Sequence, residues 1–432
     1  MRAVDIIAKK RDGGILSAQE IQFFLNGYQI NDIPDYQMSA LLMAIYLKGM
    51  NDDELFQFTK AMVDSGITIE FNDQNFVVDK HSSGGVGDKI TLALSPLLAA
   101  LGVQSAKLSG RGLGHTGGTI DKLEAIPGFR FSKTQEALKE MMDSNGFGLM
   151  GACPDVVPLD KKIYNLRDVT GTVGAIPLMV SSILSKKIAL KTDLILLDLK
   201  VGSGAFIDTV ENGKYLADKM QTIAKMFNRK LICMLTNMNQ PLGFCIGNLN
   251  EVLEASYALQ NKVNNDFTYL LKHISAKILV EKKNCSEKEA FDFIEEVLNN
   301  GDAYQKLIHF INKSDGDSSI LELKMTDVYT KKTCHVLSEE EGYVHSIDTK
   351  RIGDIAMKIG AGRETKEDII DHKAGIYMTI KIGDHIKKND VLMRLDYNKT
   401  IDKEAFYKDA LSAIKIKTEI VKPTKVVYQT IY

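Results

Sequence analysis

The sequence predicts an α/β protein: a helical domain, then a large mixed α/β sheet domain, then a small C-terminal α/β domain. Three observations carry this. Residues 1–66 show helical signals only, the rhythm turns to strand, loop, helix from about residue 75, and glycine-punctuated strands take over from Ser338. Alternating strands and helices imply an open sheet that binds ligands at the carboxyl ends of its strands.

In the first block, Ser17-Ala18-Gln19-Glu20 is a capping box opening a helix that Gly27 is expected to close. Pro34 starts a second helix, through Met38, Leu41, Leu42, Ile45 and Tyr46 to Gly49. Asp52-Asp53-Glu54 begin a third that ends at Gly66, with acidic residues where the helix dipole favours them. These helices are apolar on more than one side, which serves either an intrachain core or another subunit. In the second block, Phe76-Val77-Val78, Val103 to Lys107, Leu194 to Leu197 and Leu231 to Leu235 read as strands. The last two are continuous apolar runs of the kind buried on both faces of a parallel sheet. Residues 157–190 interrupt that rhythm with helical sequence, notably Ile176 to Ala189, and residues 247–313 read as charged helical cover. Gly342-Tyr343-Val344, Gly375 to Thr379 and Gly383 to Ile386 read as hairpin punctuation of the third block.

The chain of 432 residues is 44% hydrophobic and 25% charged, with a net charge of −2. That length calls for two or three domains. The charge gives no reason to expect nucleic acid or an anionic membrane as partner. No apolar run approaches the roughly 20 residues that span a bilayer, and the N-terminus shows no apolar signal region, so a cytoplasmic protein is expected. Cys153, Cys233, Cys245, Cys285 and Cys334 lack CxxC or CxxH spacing and read as reduced thiols.

Candidate chemistry gathers between Lys80 and Gly128. Two glycine-rich turns, Gly84 to Gly87 and Gly110 to Gly118, follow extended segments and lead towards helices. Around them stand Lys80, Ser82, Ser83, Thr91, Ser109, Thr116 and Thr119, a lysine and hydroxyl set suited to one oxyanion such as phosphate. A Walker A loop is excluded because Asp88 intervenes before Lys89, where a carboxylate would repel nucleotide phosphates. Strand alternation turns His81 away from Lys80 and Ser82, towards whatever lies across the cleft. Ser182 and Lys186 lie one turn apart on one helix face; by themselves they read as part of a solvated basic helix end.

The strings KHSSGGVGD and SGRGLGHTGGTIDKLEAIPGF, with Arg167-Asp168-Val169-Thr170, Ser185-Lys186-Lys187 and Gly202 to Phe206, resemble the pyrimidine-nucleoside phosphorylase family and its thymidine phosphorylase relatives. The resemblance implies that residues 157–190 rejoin residues 1–66 in a discontinuous helical domain that binds the base and forms a homodimer interface. Residues 67–156 with 191–330 would be the phosphate-binding α/β domain, and residues 338–432 the C-terminal domain. It implies His81 as candidate general acid, with His115 as the alternative. Lys80, Ser82, Ser83, Thr91, Ser109 and Thr119 would bind phosphate. Arg167, Ser182 and Lys186 would meet the pyrimidine edge, with Tyr164, Leu113, Phe206 and Ile183 packed around base and sugar. Part of the family has a monovalent cation site, K+, matched here by Glu254 and the carbonyls of Gly87, Lys89, Leu242 and Cys245. No organic cofactor or divalent metal is implied, and inorganic phosphate is the co-substrate. The sequence departs from the family pattern at Ser83, Thr91, Gly171 and Val201; the last removes a hydroxyl from the third glycine turn.

The implied reaction is reversible phosphorolysis of uridine, thymidine or deoxyuridine in nucleoside salvage. Alternatives are a strict thymidine phosphorylase, a magnesium-dependent phosphoribosyltransferase of the anthranilate type, and an AMP phosphorylase. A non-enzyme alternative is a carrier module, since Ala356-Met357-Lys358-Ile359 approaches a biotin-acceptor tetrapeptide.

Overall fold

A computed structural model describes residues 1–432 apart from 73, 113–116, 132–133, 152, 329 and 366. Helices α1 (Ala3–Arg11), α2 (Ala18–Gln29), α3 (Asp35–Lys48) and α4 (Asp52–Asp64) form the first block. Ser17 and Glu20 close the expected capping box, and Asn51 with Glu54 closes another at α4. Gly27 does not end α2, which runs on to Gln29. The chain folds back so that Ile33 packs there, and a Cβ on residue 27 would lie 2.9 Å from its side chain. Here glycine serves close approach, not termination. Glu54 joins three segments of this block: its carboxylate accepts from Lys10 Nζ at 2.7 Å and Leu16 N at 2.8 Å, both buried, and from Asn51 N at 3.0 Å nearer the surface.

The chain then passes through β1 (Ile69–Glu70), β2 (Val77–Ser82), α5 (Ile90–Ala100), β3 (Gln104–Ser109), α6 (Thr119–Leu123), α7 (Gln135–Asn145) and β4 (Phe147–Gly151). Helices α8 (Pro158–Val169) and α9 (Ile176–Ala189) turn back to pack on α3 and α4. Next come β5 (Leu190–Lys191), β6 (Leu194–Val201), α10 (Val210–Met226), β7 (Leu231–Asn237), β8 (Cys245–Gly247), and helices α11 (Leu249–Leu259), α12 (Asp266–Lys283), α13 (Glu287–Asn300) and α14 (Asp302–Lys313). The C-terminal part holds β9 (Lys332–Leu337), β10 (Gly342–Ile347), α15 (Thr349–Ala356), β11 (Gly375–Met378), β12 (His385–Ile386), β13 (Val391–Tyr397), α16 (Lys403–Ser412), β14 (Ile414–Lys417) and β15 (Val427–Ile431).

The main sheet has the order β15-β7-β6-β2-β3-β4; β15 is antiparallel to β7 and the rest are parallel. Alternation sorts its residues into two cores. Val78, Leu194, Leu196, Ile232 and Met234 face α5, α11, α12 and α14, whereas Val77, Ile195, Leu197, Leu231 and Cys233 face α10 and the helical block. Strand order reverses beside β2, which puts a ligand crevice at the carboxyl ends of β2, β3 and β6. Short β1 and β5 pair in parallel where the chain crosses between helical block and sheet.

Three elements depart from the expected domain boundary at residue 338, the first being β9, which precedes it and pairs with β13. β15 leaves the C-terminal part to become the edge of the main sheet, and β8 leaves the α/β part to pair with β11 in the sheet β8-β11-β13-β9. The carrier-module alternative fails here: Lys358 lies in the helical turn Met357–Ala361 after α15, not on a hairpin.

Removing the counter-ion of a buried carboxylate is expected to cost about 3–5 kcal/mol, whereas replacing both partners by apolar groups is near neutral. Lys10→Met should therefore lower the urea midpoint strongly, and Lys10→Met/Glu54→Leu should recover part of the loss. Equal loss in both variants would show that the Leu16 and Asn51 bonds to Glu54, not the ion pair, hold the block.

Candidate active site

β2 and β3 each end in the same pattern, Lys80-His81-Ser82 and Lys107-Leu108-Ser109. Parallel pairing from Val78 with Ser105 brings the two lysines side by side. Both line a small cavity of about 10 Å³ with Thr91 and Ser105. Lys80 Nζ lies 3.2 Å from Asp198 on β6, a buried carboxylate that also takes Lys200 Nζ at 2.8 Å and the Thr236 hydroxyl at 2.6 Å. Two ammonium groups thus share one carboxylate. Lys107 Nζ donates to Thr91 Oγ1 at 2.7 Å and has no carboxylate partner among the described residues. Burial beside Lys80 and Lys187 pushes its pKa down to about 7.

Other groups at this end await an acceptor. Buried Ser109 Oγ has no hydrogen-bond partner among the described residues, and Lys80 Nζ, ion-paired with Asp198, makes no well-aligned hydrogen bond. A buried donor left unpaired costs about 1–3 kcal/mol, so Ser109 points to an acceptor from outside the chain. Thr91 accepts from Lys107 and keeps its own O–H to donate, while Thr119 opens α6 half-buried. Ser82 Oγ accepts from Gly84 N at 3.2 Å and bonds Asp88. Burial opposes ionisation of Asp88, but Lys80, Lys200, Ser82 and Lys122 hold it well below the carboxylate range. Ser83 departs from expectation. Its oxygen accepts from Lys200 N at 2.8 Å, and its own N–H continues the β2–β6 pairing to Asp198 O. That hydroxyl ties the loop to the sheet.

His81 stands on the other face of β2, towards α9. Burial first, then Lys187, Lys107, Lys186 and Lys80, push its pKa well below the ordinary value, so its ring is neutral at pH 7. The basic end of α9 is not solvated throughout: Lys187 is buried and paired with Asp79 at 2.9 Å. Lys186 reaches Asp160 at 2.5 Å with its side chain 42% exposed. Arg167 is buried, and its guanidinium donates to the carbonyls of Thr172, Val173 and Leu178 at 3.4, 2.7 and 3.0 Å. Of its five N–H groups two have no partner among the described residues. Burial lowers its pKa from an ordinary value that still leaves an arginine charged at neutrality. Ser182 is buried on α9, Tyr164 and Ile183 are half-buried, and Phe206 is 63% exposed in the turn after β6. Leu113, His115 and Thr116 lie outside the described residues.

The expected cation cage assembles differently. Lys89 Nζ, not its carbonyl, enters it and donates to Leu242 O at 2.7 Å, Cys245 O at 3.0 Å and Glu254 at 2.7 Å. Gly87 packs against the same oxygens with φ +74°, and a Cβ there would lie 2.6 Å from Leu242 O. Burial works against both charges, yet pairing holds Lys89 above and Glu254 below their ordinary pKa values. These residues do not fit a bound monovalent ion, because the chain's own ammonium already takes the oxygens.

Sequence reasoning did not single out Lys107, Asp198 or the Asp79–Lys187 pair as site residues. The Lys-x-Ser repeat was the signal for Lys107. No local pattern marks Asp198, which sits inside an apolar strand.

Residues 74–304 match the a/b domain of the glycosyl transferase family, residues 4–66 its helical bundle domain, and residues 343–417 the pyrimidine nucleoside phosphorylase C-terminal domain. The pyrimidine-nucleoside phosphorylase of Geobacillus stearothermophilus is 44% identical over 401 residues, 92% of this chain and 93% of its own. That of Staphylococcus aureus (strain MSSA476) is 44% identical over 426 residues, 98% of both chains. The chain belongs to the pyrimidine-nucleoside phosphorylase family. An anthranilate phosphoribosyltransferase from Thermus thermophilus resembles this family member in fold alone, with TM-score 0.56 and 17% identity over 74% of this chain and 100% of its own.

Lys107 provides a direct test of the anion site. Only a neutral amine reacts with an acylating reagent, so labelling followed by mass spectrometry should show Lys107 half-reactive at about pH 7. Inorganic phosphate stabilises the charged form and should move that midpoint upward. A midpoint near 10, unmoved by phosphate, would remove Lys107 from the site.

Proposed function

We propose that the protein catalyses reversible phosphorolysis of pyrimidine nucleosides (uridine, thymidine and deoxyuridine) to free base and α-D-ribose- or deoxyribose-1-phosphate, in nucleoside salvage. The observation that carries this reading is the twin Lys-x-Ser strand ends, which gather Lys80, Lys107 with no carboxylate partner among the described residues, and the unpartnered Ser109 hydroxyl, on a strand whose opposite face turns His81 towards the helices. Relatives named pyrimidine-nucleoside phosphorylase at 44% identity support the substrate class.

Inorganic phosphate, held by Lys80, Lys107, Thr91, Ser109 and Thr119, attacks C1′ from the face opposite the base. The C1′–N1 bond breaks, the pyrimidine takes the electron pair over O2, N3 and O4, and the departing anion takes a proton from solvent to become the free base. The two remaining N–H groups of Arg167, with Lys186 and Ser182, meet that edge. His81 is neutral, so its N–H stabilises the developing charge on O2 by hydrogen bonding and carries no extra proton to transfer. The chemistry calls for no organic cofactor, because one phosphate is the nucleophile and no pyrophosphate departs. The nucleophile is held by the sheet and the leaving group by α8 and α9, so closure of the helical block on the sheet brings them to about 3–3.5 Å.

A phosphorolysis assay on the three nucleosides tests the reading. Lys80→Ala removes a charge-assisted contact of about 1.5–3 kcal/mol, a roughly ten- to hundredfold loss that appears in phosphate KM or kcat. Loss of a preorganised donor predicts a fall of about 10²–10³ in kcat for His81→Ala, smaller for a nitrated uracil nucleoside whose base leaves more easily. Equal losses on both substrates would take His81 out of its role. No phosphorolysis of any of the three, with base transfer from a pyrophosphorylated ribose instead, would overturn the function.

A cytoplasmic homodimer belongs to the same reading. Five free cysteines support a reducing compartment. Tyr36 and Leu47 project from α3 at 74% and 70% exposure and supply apolar surface for a second copy. Light scattering should give a dimer that Tyr36→Glu/Leu47→Glu splits; a wild-type monomer would refute it.

A further inference from the structure

We propose that Lys89 is a built-in monovalent cation, so that this family member neither binds nor needs K+ at the cage formed by Leu242, Cys245 and Glu254. The ammonium has three N–H donors, and each finds one oxygen: Leu242 O, Cys245 O and Glu254 Oε2. Glu254 has no vacancy either. Oε1 accepts from Phe244 N at 2.7 Å and Asn265 Nδ2 at 2.8 Å, and Oε2 accepts from Cys245 N at 2.8 Å as well as Lys89. The loop closes round the charge: a Cβ on Gly243 would lie 2.6 Å from Lys89 Nζ and 2.6 Å from Glu254 Oε1. A second lysine completes the arrangement from the C-terminal part. Lys381 Nζ donates to Pro241 O at 2.6 Å, Gly243 O at 2.7 Å and Asp266 at 2.8 Å. The carbonyls at 241, 242, 243 and 245 are therefore all held by lysines of this chain.

The tether has a purpose beyond charge balance. Lys89 follows the glycine turn that borders the anion site, and Cys245 opens β8, which pairs into the C-terminal sheet. A covalent cation joins these two segments at any ionic composition, whereas a bound ion would join them only above its dissociation constant.

The activity arm of the test rests on the proposed phosphorolysis; the other two arms do not. Wild-type enzyme in potassium, sodium and choline salts of equal ionic strength should differ less than about twofold in rate and share one Tm. Thallium(I), a K+ mimic, should give no specifically bound ²⁰⁵Tl resonance that K+ displaces. Lys89→Ala opens the cage and should lower the rate roughly tenfold or more, with a lower Tm. K+ or NH4+ should restore both, and choline, too large to enter, should not. Lys89→Met fills the volume without charge and should resist rescue. A wild-type Tm that rises specifically with K+, or a K+-displaceable thallium signal, would overturn the proposal; so would a folded Lys89→Ala indifferent to every cation. If Lys89→Ala fails to fold, the wild-type thallium and Tm measurements decide. Absent phosphorolysis with a salt-independent Tm would refute the proposed function and leave this inference standing.

Discussion

The site depends on one carboxylate shared between two ammonium groups. Asp198 sits inside a sheet strand without solvent contact, where an unpaired charge would cost several kcal/mol. Lys200 and the Thr236 hydroxyl satisfy it, and Lys80 then approaches as a second cation. Asp88 answers the second ammonium, and Lys107, its pKa pushed down to about 7 beside Lys80, stands at the same ligand end with Thr91 as its partner.

Strand alternation does the rest. Lys80 and Ser82 project from one face of β2 and Asp79 and His81 from the other. A one-residue slip would exchange the two sets and destroy both halves of the site. The Asp79–Lys187 pair guards against this at the helical side, because Lys187 belongs to α9 and ties that face of β2 to it. On α8, Arg167 is oriented by three backbone carbonyls instead of a carboxylate. No acidic side chain among the described residues is hydrogen-bonded to it, and Asp160 acts on its charge only at longer range.

Local chemistry was legible in the sequence and long-range partnership was not. The Ser17 capping box and the Ile176 to Ala189 helix depend on neighbours within a turn or two, and both were readable. Gly27 was misread because its packing partner Ile33 arrives only when the chain folds back. Each Lys-x-Ser pattern was visible, but only parallel pairing of β2 with β3 makes Lys107 a neighbour of Lys80. The cage at Glu254 shows the same limit. Its oxygens could be named by resemblance, yet whether Lys89 contributes a carbonyl or a side chain depends on a loop about 150 residues away. Ser83 likewise kept the hydroxyl that suits phosphate, and tertiary contact turned that hydroxyl to Lys200 N–H.

The antiparallel strand β15 bears on how the protein is made. Its partner β7 ends at Asn237, about 190 residues before β15 begins. At translation speeds of about 5–20 residues per second, the open edge of the central sheet waits roughly 10–40 s for its cover. During that interval β7 presents unpaired N–H and C=O groups on an apolar strand, the kind of edge that invites pairing between nascent chains. A strand made late thus covers an edge made early, and the emerging polypeptide relies on a distant part of its own sequence to shield it from its neighbours.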